Sequence, residues 1–458
     1  MPTDHVLNAA QPTSLRPLAR RMGSAALAGL LFSAVGAQAQ SIQQLYDAAR
    51  SYDATFLAAR AQADSAQYQF ERTKALQRPT LNLQSSLTRS GSETPSTGAS
   101  NQTQSTASLS ARQPLFNRGN ALSVEQAERS LQVAAADLDN AEQDLIVRLT
   151  QAYFEVLATQ DSLATAQTNK VAIAEQLASA KRNFEVGTAT ITDAREAQAR
   201  FDLATAQEIV ADNNLRTSRV ALDQLVGLQN VEPRPFAVPV KLPTLAPANV
   251  EAWLARAATA PNVRRASLAF DIAKLETSKA QAGHLPTVDL VSSYGRTRNT
   301  NVQGSSGSVS GNEGNFSNNS LGVQLNLPLF AGYSVQNRVK ETLALEEKSR
   351  NDLEAARRGV TQLTRQAFLG VQSGEASVRA LEAAEASTQL ALEATQLGYK
   401  VGVRVNLDVL NAQTQLYTTR RDLSRARYDV IITNLKLRQA SGSLKPEDVS
   451  AVNQLLAP

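Results

Sequence analysis

The side chains that could support chemistry are few, and most are of types that form hydrogen bonds and ion pairs. Beyond residue 39 the chain has a single histidine, His284, and it contains no cysteine. Histidine-based triads, thiol nucleophiles and zinc clusters are therefore largely excluded. Aspartate and glutamate are plentiful, but they are spread along helical stretches and do not gather near loops. The sequence predicts a protein that is not an enzyme and needs no cofactor or metal.

The remaining candidate residues lie in a short sequence that occurs twice. Phe184–Asp193 (FEVGTATITD) returns about 215 residues later as Tyr399–Asp408 (YKVGVRVNLD). The final aspartate of each copy lies in the first helical turn after a glycine, where a carboxylate interacts favourably with the helix dipole. Thr192 and Asn406 are candidates for the N-cap of that helix. From the residues alone, helix capping is the first interpretation of both sites.

A repeat of this length indicates two copies of one large structural half, because solenoid units recur every 20–50 residues. No proline occurs between Pro114 and Pro233, or between Pro328 and Pro446. Each gap is about 117 residues long and has a glycine of the repeated sequence near its middle, where the left-handed C′ position would end a helix. Each gap predicts a helix of about 70 residues, a tight turn and a helix of about 40. The longer helix would reach about 100 Å.

The returning helices carry a seven-residue pattern. In the second copy, apolar and small residues follow a 3-then-4 spacing from Val409 to Ala440. The first copy repeats it from Ala197 to Leu222, with Glu208 as the one break. This period predicts left-handed coiled-coil packing. A periplasmic coiled-coil adaptor or structural rod would have the same pattern, so the helices alone leave that alternative open.

Four further segments, each about ten residues long, alternate apolar and polar side chains. These segments are Leu81–Thr88, Ser105–Arg112, Val288–Tyr294 and Leu321–Leu327. Their length and period are those of tilted membrane β-strands. The connectors Ser90–Asn101 and Arg298–Asn319 are rich in Gly, Ser, Asn and Thr, and we expect them to be mobile extracellular loops. A soluble rod does not explain these four segments.

Four strands cannot close a membrane barrel, because the smallest barrels use about eight. An open sheet edge is not tolerated in lipid, where each unpaired backbone group costs several kcal/mol. The strands must therefore be completed by other copies of the chain. A dimer would supply 8 strands and a trimer 12, and only the larger ring leaves an open lumen for cargo.

Residues 1–39 are typical of a secretory signal peptide. Three arginines precede the apolar run Ala25–Val35, and Ala37-Gln38-Ala39 supplies a small-residue cleavage site. No later run of about 20 apolar residues predicts a transmembrane helix. The formal net charge of +4 is small for 458 residues, which argues against a nucleic-acid partner. With no cysteine, a lipid-modified N-terminal cysteine is excluded.

These features predict a division of the chain into two similar halves. The predicted parts are a signal peptide (1–39), a first repeat (40–227, with a helix, a β-hairpin at about 80–114 and a long helical pair at about 117–227), a Pro-rich equatorial linker (228–247), a second repeat (248–442, with a helix, a β-hairpin at about 287–328 and a long helical pair at about 331–441) and a C-terminal tail (443–458).

The combination of signal peptide, two hairpins, two proline-free helical pairs and a repeated turn resembles the TolC family of outer-membrane exit ducts. The most specific stretches are Asn183–Gln198 and Gly398–Gln413, together with a Pro-Leu-Phe motif at 114–116 and 328–330. The resemblance implies a mixed α/β membrane protein that forms a homotrimer. Each protomer would give four β-strands to one 12-stranded outer-membrane β-barrel, and long coiled-coil helices would form a periplasmic α-barrel.

The resemblance also implies a function. Such a trimer is a passive channel-tunnel in the outer membrane of a Gram-negative bacterium, where it contacts the membrane lipid and extends into the periplasm. It serves as the exit duct of a tripartite efflux or type I secretion system. Its implied partners are a periplasmic adaptor protein and an inner-membrane pump, driven by ATP or by protons.

Four residues match the gate of this family. Tyr399 and Arg404 match the residues that tie one helical pair to its neighbour at a closed periplasmic entrance, and Thr192 and Asp193 match their partners. The residue equivalent to Tyr399 in the first copy is Phe184, which lacks a hydroxyl. That difference favours a hydrogen-bonding role for Tyr399.

Two further residues match the constriction of the tunnel. Asp408 matches an acidic ring in this family, whereas a second acidic position of the family is occupied here by Asn411. Three chains would then form one carboxylate ring and one amide ring. We expect weaker block by cations than two carboxylate rings would give.

Overall fold

The computed structural model describes residues 40–94, 98–237, 242–243, 245–302 and 314–457. The predicted signal peptide, residues 1–39, lies outside these ranges. None of the helices within them has a stretch long and apolar enough to cross a membrane.

The same order of elements occurs twice along the chain: two helices, a β-hairpin, a very long helix and a shorter returning helix. The first set is α1 (Ile42–Tyr52), α2 (Ala54–Lys74), β1 (Thr80–Thr94), β2 (Gly98–Phe116), α3 (Arg118–Glu185) and α4 (Ile191–Val226). The second set is α5 (Val250–Ala257), α6 (Pro261–Gln281), β3 (Thr287–Val302), β4 (Gly314–Asn326), α7 (Ser334–Lys400) and α8 (Asn406–Ala440), followed by α9 (Pro446–Asn453).

The long helices have 68 residues in α3 and 67 in α7, so each is about 100 Å long. Helix α7 runs without a break through Gly359 and Gly374. Gly374 instead lets α8 approach closely, because a Cβ there would lie 3.0 Å from Cγ2 of Val430. The glycine thus serves helix packing.

Each long helix ends where the repeated glycine predicts. Gly187 and Gly402 both have φ of +80°, the left-handed conformation that glycine adopts without a steric penalty. The N–H of Thr188 donates to the carbonyl of Asn183 at 2.8 Å, and the N–H of Val403 donates to the carbonyl of Gly398 at 2.9 Å. These bonds satisfy carbonyls that the helix end would leave unpaired.

The seven-residue pattern forms the seam between paired helices. Val409 and Leu416 are buried against Leu392 of α7, and Leu423 and Val430 are buried against Val378. In the first pair, the one break in the pattern is an ion pair. The carboxylate of Glu208 lies 2.8 Å from Nζ of Lys170 on α3.

The largest core surrounds the middle of α3. The rings of Phe154, Phe236 and Tyr428 of α8 form a three-way cluster, with centroids 5.4 Å apart for Phe154 and Tyr428, 4.9 Å for Phe236 and Tyr428, and 5.5 Å for Phe154 and Phe236. Burial, with the nearby carboxylate of Asp161, raises the pKa of Tyr428 well above its usual range. Helix α9 and part of the segment that follows α4 also pack here.

An ion pair joins the α1–α2 junction to this region. Asp53 accepts hydrogen bonds from Nη1 and Nη2 of Arg148, both at 3.0 Å, and also caps α2 by accepting from the N–H of Phe56 at 2.8 Å. The Arg148 hydrogen bonds are the main reason that the pKa of Asp53 lies below its usual value.

The four strands form one antiparallel sheet in the order β1-β2-β3-β4. Its register brings most of the apolar residues of the strands to the same face. Leu83, Leu109 and Tyr294 are aligned in one row, and Val323 of β4 lies opposite Leu290. The other face is mostly polar, although it also carries Val291 and Phe316, and on it Arg112 lies 2.6 Å from Asp289. Strands β1 and β4 are the edges, each paired on one side within this chain.

The strands are longer than the ten residues predicted, with 15, 19, 16 and 13 residues in β1 to β4. The predicted loops Ser90–Asn101 and Arg298–Asn319 were therefore wrong at both ends, because the strands extend into them. In the first hairpin, β1 continues to Thr94 and β2 begins at Gly98; in the second, β3 continues to Val302 and β4 begins at Gly314. Ladder hydrogen bonds join backbones and do not depend on an apolar side chain. Loss of alternation thus marks the edge of the apolar band and not the end of the strand.

Candidate functional site at the two inter-helix turns

The candidate residues lie around the turns that join α3 to α4 and α7 to α8. Tyr399 is in the last turn of α7 and Arg404 is in the following loop. Thr192 and Asp193 belong to the first turn of α4, and Asp408 to the first turn of α8. Each therefore sits at a helix end that the glycine turns fix in place.

Tyr399 connects the second helical pair to the first. Its hydroxyl accepts a hydrogen bond from Nδ2 of Asn183 on α3 at 3.2 Å. The partner is Asn183, whereas the resemblance implied Thr192 or Asp193. The Asp193 carboxylate is engaged elsewhere, because its Oδ2 accepts from the N–H and the hydroxyl of Thr190 at 3.0 and 2.8 Å.

A second connection joins the returning helices. Nη2 of Arg200 on α4 donates to Oδ1 of Asn411 on α8 at 3.1 Å. An amide at 411 accepts this bond while remaining neutral, so this contact does not neutralise the charge of the arginine. The structure thus places a guanidinium beside Asn411.

Arg404 contacts its own helical pair. Its Nη1 lies 3.6 Å from Oδ2 of Asp408, one helical turn further on, and both side chains are partly exposed. Within one protomer the structure does not bring Arg404 to Thr192 or Asp193. Thr192 itself is exposed.

The predicted N-caps were wrong by one or two residues. Helix α4 is capped by Thr190, whose hydroxyl accepts from the N–H of Asp193 at 3.3 Å, completing a capping box with the Asp193 carboxylate. In α8 the N-cap position is Val405, and the buried Asn406 is already helical. The Asp408 carboxylate accepts from the N–H of Val405 at 3.5 Å. Both aspartates do lie in the first turn, as predicted.

Sequence reasoning missed Asn183 and Arg200. A signal existed for Asn183, because the equivalent residue in the second copy is Gly398, which has no side chain. No comparable signal marks Arg200. In the described part of the chain, no three His, Asp or Glu side chains gather as a metal site would require.

Comparison with known families decides the identity of the chain. The family model described as "Outer membrane efflux protein" matches residues 45–228 and 255–443, which include both turns and all four strands. The chain belongs to the outer membrane efflux protein family.

Individual family members are similar over most of the chain. Outer membrane protein TolC of Vibrio cholerae is 33% identical over 438 residues, covering 94% of this chain and 96% of that protein. The alkaline protease secretion protein AprF of Pseudomonas aeruginosa is 33% identical over 348 residues, covering 75% and 71%. These similarities place this efflux-family chain in the outer membrane.

A solved structure has the same fold. The outer membrane protein VceC of Vibrio cholerae superposes with a TM-score of 0.72 over 88% of this chain and 96% of that one, at 20% identity. The efflux-family fold therefore extends through the hairpins and the long helical pairs. The predicted mixed α/β fold, with four strands per protomer and long coiled-coil helices, is confirmed.

Proposed function

We propose that three copies of this chain form a passive outer-membrane exit duct with a gated periplasmic entrance. The observation that carries the proposal is a four-stranded sheet with one apolar face and two unpaired edges, attached to helices about 100 Å long. Lipid does not tolerate unpaired strand edges, so β1 of one copy must pair with β4 of the next. Three copies give 12 strands, enough for an open lumen.

The duct itself supplies no energy and catalyses no reaction. We propose that a periplasmic adaptor protein and an inner-membrane pump deliver cargo to the helical end. The relative AprF is named for secretion of alkaline protease, whereas the family model is named for efflux. Both proteins and small molecules are therefore candidate cargoes.

The entrance is proposed to lie at the two inter-helix turns. The Asn183–Tyr399 and Arg200–Asn411 hydrogen bonds hold the second helical pair against the first. The exposed Arg404 and Thr192 and the adjacent Asp193 would then contact the neighbouring protomer. Opening requires the second pair to move away from the first, which breaks both bonds.

Asp408 and Asn411 are proposed to form the narrowest rings. In a trimer, Asp408 would present three carboxylates, each close to an Arg404 guanidinium. At position 411, three amides would each accept from Arg200. The entrance then carries arginine near both rings, which supports weak retention of cations.

The purified trimer in planar bilayers tests this function. We expect discrete conductance steps, together with a band on unheated gels that shifts to the monomer position after boiling. A monomeric chain that remains soluble without detergent and never conducts would contradict the proposal.

A further inference from the structure

The apolar face of the sheet is bordered by arginines at the hairpin end. In β1 the outward apolar run ends at Leu87, and the next outward residue is Arg89. In β3 the run ends at Tyr294, and the next outward residues are Arg296 and Arg298. All three arginines are exposed.

In a barrel of tilted strands, β1 and β3 reach this border at the same depth in the membrane. Register alignment pairs Leu87, through Ser105, with Arg298, so the apolar run of β1 is displaced by four residues from that of β3. A displacement of this kind arises when strands tilt by about 35–45° to the membrane normal. Arg89 is the first outward residue after the apolar run of β1, and Arg296 is the first outward residue after the apolar run of β3.

An aromatic side chain marks the same level. Tyr294 is 56% exposed on the outward face, immediately before Arg296 in the outward series. Tyrosine is enriched at the boundary between hydrocarbon and headgroups. A guanidinium one outward position further, about 6.6 Å along the strand, therefore lies among the headgroups.

The electrostatics of the three arginines differ from those of the polar face. There, Arg112 is paired with Asp289 at 2.6 Å. Among the described residues, no carboxylate lies within ion-pair distance of Arg89, Arg296 or Arg298. The outward Glu93 lies two outward positions beyond Arg89, about 13 Å along β1. The border thus carries uncompensated positive charge.

We propose that Arg89, Arg296 and Arg298 form a binding site for the phosphate groups of an anionic glycolipid in the outer leaflet. The inference rests on the proposed barrel, because the hairpin end must face outward from the cell. Guanidinium groups bind phosphate oxygens through paired N–H donors, and Arg296 and Arg298 on one strand face present two such groups side by side. Ring closure would repeat the site three times around the barrel.

Native mass spectrometry of the trimer in neutral detergent tests the site. The probe is a disaccharide lipid with two phosphates, compared with its dephosphorylated form. We expect the wild-type trimer to prefer the phosphorylated lipid by about tenfold or more, because each arginine near a membrane surface contributes about a fivefold gain. Equal binding of the two lipids by the wild-type protein would overturn the proposal without any variant.

Variants locate the site. We expect Arg296→Gln with Arg298→Gln to abolish the preference, and Arg296→Lys with Arg298→Lys to keep most of it. Arg78→Gln, at the helix end of β1, is the matched control and should bind as wild type does. A double glutamine variant that keeps the full preference would contradict the assignment, as would an equal loss in Arg78→Gln. Millimolar inorganic phosphate that displaces the lipid completely would show a free-anion site instead.

Conductance of the same preparations separates this inference from the proposed function. A trimer that conducts but shows no lipid preference contradicts only the lipid site. A protein that forms no pores contradicts the duct itself.

Discussion

Tyr399 and Phe184 occupy equivalent places at the ends of α7 and α3, and only the tyrosine has a hydroxyl for Asn183 to bond. The contact joins the two helical pairs, and its two residues are 216 positions apart in the chain. A hydrogen bond between neutral groups makes a net contribution to stability of about 0.5–1.5 kcal/mol. A contribution of this size is small enough for the proposed gate to open.

Tyr399→Phe should therefore favour the open entrance. Loss of this bond should raise the open fraction of single channels in planar bilayers about two- to tenfold. Asn183→Leu should have a similar effect, and the double variant should add little, because both changes remove one contact. Tyr68→Phe, at an exposed tyrosine of α2, is the control and should leave gating unchanged. Strictly additive effects of the two gate variants would argue against a shared bond.

The ring positions make a second prediction at the residue scale. Asn411→Asp should strengthen block by multivalent cations, because it adds three carboxylates to the trimer, and the Arg200 guanidinium beside each carboxylate limits the size of the gain. Asp408→Ala should weaken that block. The measurement is single-channel current during titration with a trivalent cation, with Asp271→Asn on α6 as the control. Unchanged cation block in Asp408→Ala would contradict the proposed place of Asp408 in the constriction.

At the scale of elements, Gly374 and Gly359 of α7 make opposite predictions. Gly374→Ala should destabilise the α7–α8 pair by about 1–3 kcal/mol, because its Cβ would press on Val430. Gly359→Ala meets no atom within 4 Å and should stabilise the helix by up to about 1 kcal/mol. The measurement is the temperature at which the assembled protein dissociates, read from gels of samples heated to graded temperatures before loading. Equal effects of the two substitutions would refute close packing at Gly374.

The α1–α2 junction predicts a pH dependence. Since Arg148 lowers the pKa of Asp53 in the folded protein, this contribution to stability is fully present above the unfolded pKa of about 3.9. It is lost as the pH falls through the lower, folded pKa. Asp53→Asn should lower the melting temperature at pH 7 and flatten its fall below pH 4. Asp271→Asn, at an exposed ion pair, should keep the wild-type slope.

The helices and strands were largely predictable because proline, glycine and alternation are local signals. Gly187 and Gly402 located the turns for this reason. The strand ends were not, because polar residues such as those near Thr94 continue the ladder without an apolar pattern. The Arg200–Asn411 bond was not predictable either, since it depends on how α4 and α8 are rotated about their axes. Thr190 was missed as a cap because Thr192 offered the same chemistry two residues later.

At the scale of the whole molecule, assembly decides which face of the sheet meets water. The chain has no cysteine, so an introduced one is the only thiol. We expect Ser108→Cys and Ser110→Cys, on the polar face, to react with a membrane-impermeant maleimide in reconstituted vesicles. Leu109→Cys, between them on the apolar face, should be protected by lipid. Uniform reaction at all three positions would mean that no closed barrel forms.

Helices α3 and α7 have nearly equal lengths, and together they set how far the duct extends from the sheet. A seven-residue insertion adds about 10.5 Å and returns every seam residue to its original side of the helix. An insertion of four residues would shift the register of the seam against the neighbouring helix. The reach of such a duct can therefore change only in steps of a whole heptad, made together in α3, α4, α7 and α8. The seven-residue period of the helix seam therefore sets the step by which the length of the duct across the periplasm can change.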